Sequence, residues 1–400
     1  MARSESEEER SGELAGRVRV AIVHHWFVTR GGGERVAECI ASLFPEAEIF
    51  TLVADAPGIP EGLKDRRLHT SFLQRIPLAK NYHRHMMPLY PMATEGLDLR
   101  GFDLVISSDS GPVKGVRVDA GAVHICYCHS PMRYLYDGYE TYRAQMGGVT
   151  RAAFSATAGR VRAWDERAAQ RVSYFIANSE YVADRIRRCY GRESVVIHPP
   201  IDLHRARLAE PGNYYLCAGR LVGYKRTELM VEACVRLGRK LRIAGTGPEE
   251  SRLKKLAGAA NVSFLGEMTT DALWQEYAEC RALLFAADED FGMVPLEAQA
   301  CGRPVIAYGA GGSLETVRGL GTGKGEATGI YFSEQTVESV MDGILRFEAA
   351  DAAGKFDSAV ARRWAGEFAT PVFLRRMREF ILEKMPEAAS AMAASVTETM

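Results

Sequence analysis

Two short segments combine residue types that could handle a charged, hydroxyl-rich ligand. In residues 216–226, LCAGRLVGYKR, an apolar run ends at Gly219 and is followed by Arg220 and Lys225. Two cations in one loop can grip a diphosphate: a guanidinium forks onto phosphate oxygens, and an ammonium acts as a point charge. A solvated basic loop would have the same composition. In residues 287–306, ADEDFGMVPLEAQACGRPVI, a polar loop carries Glu289 and leads into a helix carrying Glu297. Pro295 suits the first helical position, where a missing N–H costs nothing. That register puts Glu297 in the first turn, where the helix dipole favours a carboxylate. Gly292 allows a ligand close to the backbone, and the N–H groups near Met293 and Val294 could bind phosphate. Carboxylates at such an edge can accept paired hydrogen bonds from sugar or ribose hydroxyls. A capped helix with an acidic first turn is the plainer alternative.

Both segments need a strand to end just before them, and the chain supplies one in each case. Short apolar runs alternate with helical patterns along most of the sequence. Strands are expected at residues 18–26, 48–52, 103–107, 124–128 and 174–178, and again at 214–219, 240–245, 262–266, 282–286, 304–308 and 329–332. Helices are expected after Gly31-Gly32-Gly33, at 153–172, and at 227–237, 249–257, 270–280, 295–301 and 336–348. Alternation of this kind means parallel sheets with helices on both faces. Pro199-Pro200 can continue neither a helix nor a central strand, so it reads as a hinge. The expected fold is therefore α/β, two facing doubly wound, Rossmann-like domains. Ligands of such sheets sit beyond the carboxyl ends of the strands, which places a site in the cleft between the domains.

Taken together, GR-x4-K at Gly219–Lys225 and E-x7-E in the form EDFGMVPLEAQACGRPVI resemble the retaining glycosyltransferases of family 4, which have the two-domain GT-B fold. Gly245-Thr246-Gly247-Pro248 resembles the family's G-x-G-P-E turn, and NVSFLG at 261–266 its base-binding strand. Gly31-Gly32-Gly33-Glu34 resembles the glycine-rich first turn of the acceptor domain, and HPPID its hinge. The stretch 126–137, CYCHSPMRYLYD, is similar to mannosyltransferases of bacterial surface-polysaccharide assembly. The resemblance spans roughly residues 17–385.

The resemblance implies a hexosyltransferase that moves mannose from GDP-mannose onto a saccharide or lipid-linked oligosaccharide. A UDP-sugar donor is the first alternative, and a non-catalytic nucleotide-sugar-binding module the second. Arg220 and Lys225 would neutralise the donor diphosphate, Glu289 would touch the donor sugar, and Glu297 would bind the ribose. Phe291, Gly292, Met293 and Val294 would offer backbone groups. Gly219, Gly247, Phe264 and Leu265 would line the donor site. Gly32 and Gly33 would let the first helix approach the diphosphate, and His129 would lie near the sugar and the attacking hydroxyl. No metal or other cofactor is expected, because the cations and a helix dipole can stabilise the leaving phosphate. Asp290 stands where family members more often have glycine, as E-G-F-G.

The implied organisation is a disordered acidic segment at 1–16, an acceptor domain at 17–198 joined by a C-terminal helix at 371–385, a donor domain at 199–370, and a disordered tail at 386–400. The total of 50 Lys+Arg against 51 Asp+Glu gives no bulk drive toward nucleic acid. Eight cysteines without a CxxC pair read as reduced, mostly buried thiols, with Cys126 and Cys128 on one strand face. The acidic start lacks the basic-then-apolar pattern of a secretory signal, so a cytoplasmic protein is expected. Residues 79–91, AKNYHRHMMPLYP, mix basic and aromatic groups that could rest on an anionic inner-membrane surface. GLGTGKG at 319–325 fails as a P-loop, since Gly325 follows Lys324 where Ser or Thr is needed.

Overall fold

The computed structural model describes residues 18–393. The segment expected to be disordered at 1–16 lies outside these residues, as do the last residues of the tail. The chain forms two compact units. The first takes the chain up to Asn178, with Val182–Ile197 and the stretch from Leu374 onward; the second takes Ser179–Tyr181 and His198–Phe373.

The first unit holds a seven-stranded sheet: β1 (Val20–Phe27), β2 (Glu48–Ala54), β3 (Leu68–Thr70), β4 (Leu104–Asp109), β5 (Val123–Cys128), β6 (Tyr174–Ala177) and β7 (Ser194–Val196), in the order β3-β2-β1-β4-β5-β6-β7. Every pairing is parallel. Its longer helices include α1 (Gly32–Ser42), α2 (Gly148–Ala169) and α3 (Glu180–Tyr190), the last beginning in the second unit. The second unit holds β8 (Tyr214–Ala218), β9 (Lys240–Ala244), β10 (Val262–Gly266), β11 (Ala282–Phe285), β12 (Val305–Tyr308) and β13 (Gly329–Phe332), in the order β10-β9-β8-β11-β12-β13 and again all parallel. Between them run α4 (Thr227–Leu237), α5 (Glu250–Ala257), α6 (Thr270–Glu279), α7 (Met293–Ala300) and α8 (Val337–Ala352); α9 (Ser358–Gly366) and α10 (Thr370–Lys384) follow.

Strands of such sheets are covered on both faces, so they read as unbroken apolar runs. The period of two is still visible in where the side chains go. Tyr214, Leu216, Ala218, Leu283, Phe285, Val305 and Ala307 belong to one core of the second unit. Their neighbours Tyr215, Cys217, Ala282, Leu284, Ala286 and Ile306 belong to the core on the other face. In the first unit Cys126 and Cys128 do share one face, with Phe175 and Ala177. All eight cysteines are free thiols, and seven are buried.

Several expected details differ. Strands β3 and β7 are three residues each, too short to show a pattern against their polar surroundings. The helix α2 begins at Gly148 rather than at residue 153. The tail is ordered further than expected: Pro386–Ala391 forms a 3-10 helix because Ala388, Ala391 and Met392 find buried positions. The Ala393 N–H also donates to the Leu43 carbonyl at 2.8 Å. The segment at 79–91 is broken into short turns. Its His83, Met87 and Tyr90 are buried, while Leu78 and Tyr82 beside them stay exposed. Among the described residues no helix is long and apolar enough to cross a membrane.

The first unit buries several imidazoles in its sheet. Burial lowers the pKa of His24 and of His124 from 6.5 to about 3, so the folded state excludes protons that the unfolded chain binds below pH 6.5. This stabilisation is complete above pH 6.5 and is lost as pH falls toward 3. Each histidine should cost about 2 kcal/mol between pH 6.5 and 5. Urea unfolding across that range is expected to show the loss, and His124→Asn to make the slope shallower by about 1.4 kcal/mol per pH unit. A slope identical to that of the parent chain would contradict the assignment.

Candidate functional site

In a doubly wound sheet the strand order reverses at one point, and the loops leaving the two strands there part to opposite faces, opening a crevice at the carboxyl edge. In the second unit that point lies between β8 and β11, paired through Ala282–Tyr215 and Leu283–Leu216. Arg220 and Lys225 follow β8, and residues 288–292 follow β11, so the topology brings the two sequence segments to one crevice. Cys217, Ala218, Gly219, Arg220, Lys225, Thr227, Phe285 and Ala287 line a small cavity there.

The side chains of Lys225 and Glu289 form an ion pair, with each only 16% and 18% exposed. Burial works against the Lys225 charge, but the Glu289 carboxylate and the nearby Tyr224 outweigh it and hold the ammonium pKa above its ordinary value. Arg220 stands at the same edge, exposed to solvent, and has no ion pair among the described residues. One cation is thus held by a carboxylate and the other is open to an anion. Arg226, directly after Lys225, takes the left-handed conformation at φ 55° and starts α4. A non-glycine residue held there is strained by roughly 1–3 kcal/mol, and the strain sits beside the site.

The loops carrying these groups are fastened by glycines. A Cβ on Gly245, after β9, would lie 2.1 Å from the Gly219 carbonyl oxygen, and one on Gly247 would lie 2.2 Å from that of Leu221. Gly247, expected to line the donor site, thus lets its loop lie on the neighbouring one, as Gly245 does. Likewise a Cβ on Gly312 would lie 2.2 Å from Phe291, and the Gly312 N–H donates to the Glu289 carbonyl at 2.8 Å.

The helix after Glu289 starts earlier than its proline suggests. Gly292, at φ 87°, turns the chain so that α7 begins at Met293. Pro295 is then the third helical residue, still among the first N–H positions without an intrahelical acceptor, so the proline is tolerated. Glu297 is the fifth residue and not in the first turn; its Oε2 accepts from the Tyr277 hydroxyl at 2.8 Å. Gly302 closes the segment at φ 74°. Met293 and Val294 are the first two helical residues, and Phe291 is buried. Phe264 and Leu265 lie half-buried on edge strand β10, with Lys254 Nζ 5.6 Å over the Phe264 ring.

In the first unit the order reverses between β1 and β4, where His24 pairs in register with Ser108. His24 Nδ1 lies 3.1 Å from the Ser108 carbonyl oxygen. A carbonyl can only accept, so Nδ1 carries the proton and Nε2 presents a bare lone pair. His129, which follows β5, sets its Nε2 2.8 Å from the Ser108 hydroxyl. Gly32 and Gly33 open α1 beside them, and a Cβ on Gly33 would lie 3.5 Å from His24 Cε1 and 3.8 Å from His129 Nε2. His129, Gly32 and Gly33 thus converge as one cluster. Sequence reasoning missed His24 and Ser108, whose signal was two histidines inside an otherwise apolar strand run. It also missed the buried Lys114, whose Nζ sits 3.2 Å from Asp109 Oδ2 and 2.5 Å from Asp165 Oδ1 beneath this edge.

Two parallel-sheet Rossmann-like units with these loops define the GT-B fold class. Residues 201–358 match the family model for glycosyl transferases group 1, and residues 30–205 that for Glycosyltransferase Family 4. The chain belongs to this glycosyltransferase family. It is 32% identical over 180 residues to the lipopolysaccharide core biosynthesis mannosyltransferase LpsB of Rhizobium meliloti, covering 40% of this chain and 49% of that one. It is 29% identical over 235 residues to a GDP-mannose-dependent monoacylated alpha-(1-6)-phosphatidylinositol monomannoside mannosyltransferase of Corynebacterium glutamicum, covering 47% and 58%. The match spans about half the length of these curated relatives. Among solved structures, sucrose-phosphate synthase from Thermosynechococcus elongatus aligns with a TM-score of 0.69 at 18% identity, covering 92% of this chain and 100% of that one. Anabaena HepE in complex with UDP-glucose aligns at 0.66 and 18%, covering 91% and 99%. At such identities these two show the fold alone.

Removing one partner of the Lys225–Glu289 pair leaves a mostly buried charge. Lys225→Met is expected to destabilise the protein by about 3 kcal/mol, and adding Glu289→Gln to recover most of that loss. Urea denaturation of both single variants and the double variant tests the coupling; additive losses would contradict it.

Proposed function

We propose that the protein is a retaining hexosyltransferase that moves mannose from GDP-mannose onto a saccharide or lipid-linked oligosaccharide acceptor. The observation that carries this reading is the crevice of the second unit, where Lys225 is held by Glu289 and Arg220 is exposed, with no ion pair among the described residues. The mannosyl relatives support the choice of donor.

In the reaction the bond between sugar C1 and the diphosphate oxygen breaks. The acceptor oxygen forms the new bond to C1 on the same face, and its proton passes to the departing phosphate. Negative charge grows on that phosphate, and cations fixed in place before it develops lower the barrier. Arg220 receives the diphosphate first, being exposed to solvent. Lys225 then exchanges Glu289 for phosphate oxygens, and the released Glu289 carboxylate accepts from sugar hydroxyls. The N–H groups opening α7 add donors to the same anion. Glu297 binds the ribose, and His129, on the first unit, orients the sugar and the attacking hydroxyl. Because two cations take the charge, the reaction runs without a divalent metal.

Incubation with GDP-mannose, UDP-glucose and ADP-glucose, followed by release of the nucleoside diphosphate, tests this reading. Turnover is expected with GDP-mannose and should persist in EDTA. Arg220→Ala should lower kcat/KM by about 100-fold or more with the fold intact by circular dichroism. Turnover with UDP-glucose alone would replace the donor. Binding of nucleotide sugars without turnover would leave a binding module, and parental rates in Arg220→Ala would overturn the clamp.

A further inference from the structure

The loop carrying Glu289 is braced from segments that its own neighbourhood in the sequence does not include. The Asp290 carbonyl accepts from the Ser179 hydroxyl at 2.5 Å. The Phe291 ring stacks on the His198 imidazole, with centroids 5.3 Å apart and planes at 24°. The Glu289 carbonyl accepts from Gly312 N–H, which immediately precedes a short helix, Ser313–Thr316. That helix carries Glu315. Glu315 Oε2 lies 3.0 Å from His198 Nε2. The same carboxylate accepts the backbone N–H groups of Glu180 at 2.9 Å and Tyr181 at 3.1 Å.

Ser179–Tyr181 and His198 have one thing in common. Ser179–Tyr181 is a short passage of the chain through the second unit, and His198 is where the chain re-enters it. Glu315 collects three donors from these two passages, and its side chain is only 16% exposed. His198 is further fixed by the Phe368 ring, at 5.2 Å. A carboxylate that accepts from two N–H groups and an imidazole at once has little freedom. The short helix that bears it is therefore pinned, and through Gly312 so is the backbone of Glu289.

We propose that Glu315 is a positioning residue for sugar transfer: it ties the two chain passages to the loop of Glu289, so the orientation of that carboxylate depends on Glu315 without Glu315 touching the substrate. This rests on the transferase reading above. Glu315 acts on the part of the site that meets the sugar, while Arg220, on another loop, meets the diphosphate. Its loss should therefore separate the two functions.

Glu315→Ala is expected to lower kcat with GDP-mannose on the order of 10-fold, since small displacements of a positioned group cost at least that much. Calorimetric affinity for GDP, which lacks the sugar, should stay within about 2-fold of the parent value, the exposed Arg220 loop being untouched. Glu315→Gln, which keeps an acceptor, should recover part of the rate. His198→Phe keeps the stacking on Phe291 but loses the hydrogen bond, and should reproduce part of the loss if Glu315→Ala folds poorly. Hydrogen exchange should quicken in the peptide spanning residues 288–292 in both Ala and Phe variants. Unchanged kcat with only a lower melting temperature, or unchanged exchange in that peptide, overturns the proposal. If the parent protein turns over no nucleotide sugar, the transferase reading fails, and the exchange measurement still decides whether Glu315 positions the loop.

Discussion

The pairing of Lys225 with Glu289 is the interaction on which the second unit's crevice depends. An ammonium and a carboxylate that are both mostly buried must meet, because either one alone would lose its hydration without compensation. The two residues sit on loops that follow different strands, and only the reversal of strand order between β8 and β11 brings those loops together. The glycine contacts at Gly245, Gly247 and Gly312 then become necessary. They let the loops after β8, β9, β11 and β12 lie backbone on backbone, where any side chain would push them apart. Arg220 is the cation this arrangement leaves over, and a guanidinium with no ion pair among the described residues, at the carboxyl edge of a parallel sheet, is what an incoming anion would find.

The first unit gathers a different set of groups at its own edge. At its own reversal point the sheet places His24 and His129 about one serine hydroxyl, that of Ser108. Burial keeps His24 uncharged, its pKa lowered to about 3, so it meets that hydroxyl as a neutral ring, with the Glu34 carboxylate 3.9 Å from its Nε2. Below it Lys114 lies between two carboxylates, its pKa raised because Asp165 and Asp109 outweigh the cost of burying it.

Much of this was legible in the sequence, for a physical reason. Parallel strands covered on both faces must be apolar along their length, so β1, β4, β5, β8, β11 and β12 stood out as runs. The cations and carboxylates at their ends stood out against them. What escaped notice was either short or non-local. The three-residue edge strands β3 and β7 carry no period. The start of α7 was read from Pro295, while the conformation of Gly292 sets it two residues earlier. His24 was hidden inside an apolar run. The contact between Lys225 and Glu289 spans a long stretch of chain, and only the sheet order creates it. The resemblance to family 4 singles out the loops that carry Lys225 and Glu289, but it does not say that Lys225 is engaged by Glu289 while Arg220 has no ion pair among the described residues. The ordered residues after Pro386 were missed because an alanine-rich tail looks polar and featureless until Ala388 and Met392 find a surface to bury against.

The central claim is that this crevice is built for a diphosphate, with Arg220 as its open cation. Calorimetric titration with GDP and GMP tests it most directly. The account predicts that GDP binds at least about 10-fold more tightly than GMP, the worth of one charge-assisted contact to the second phosphate, and that Arg220→Ala narrows the difference. Equal affinities for the two nucleotides, or a preference for GDP that is undiminished in Arg220→Ala, would contradict it.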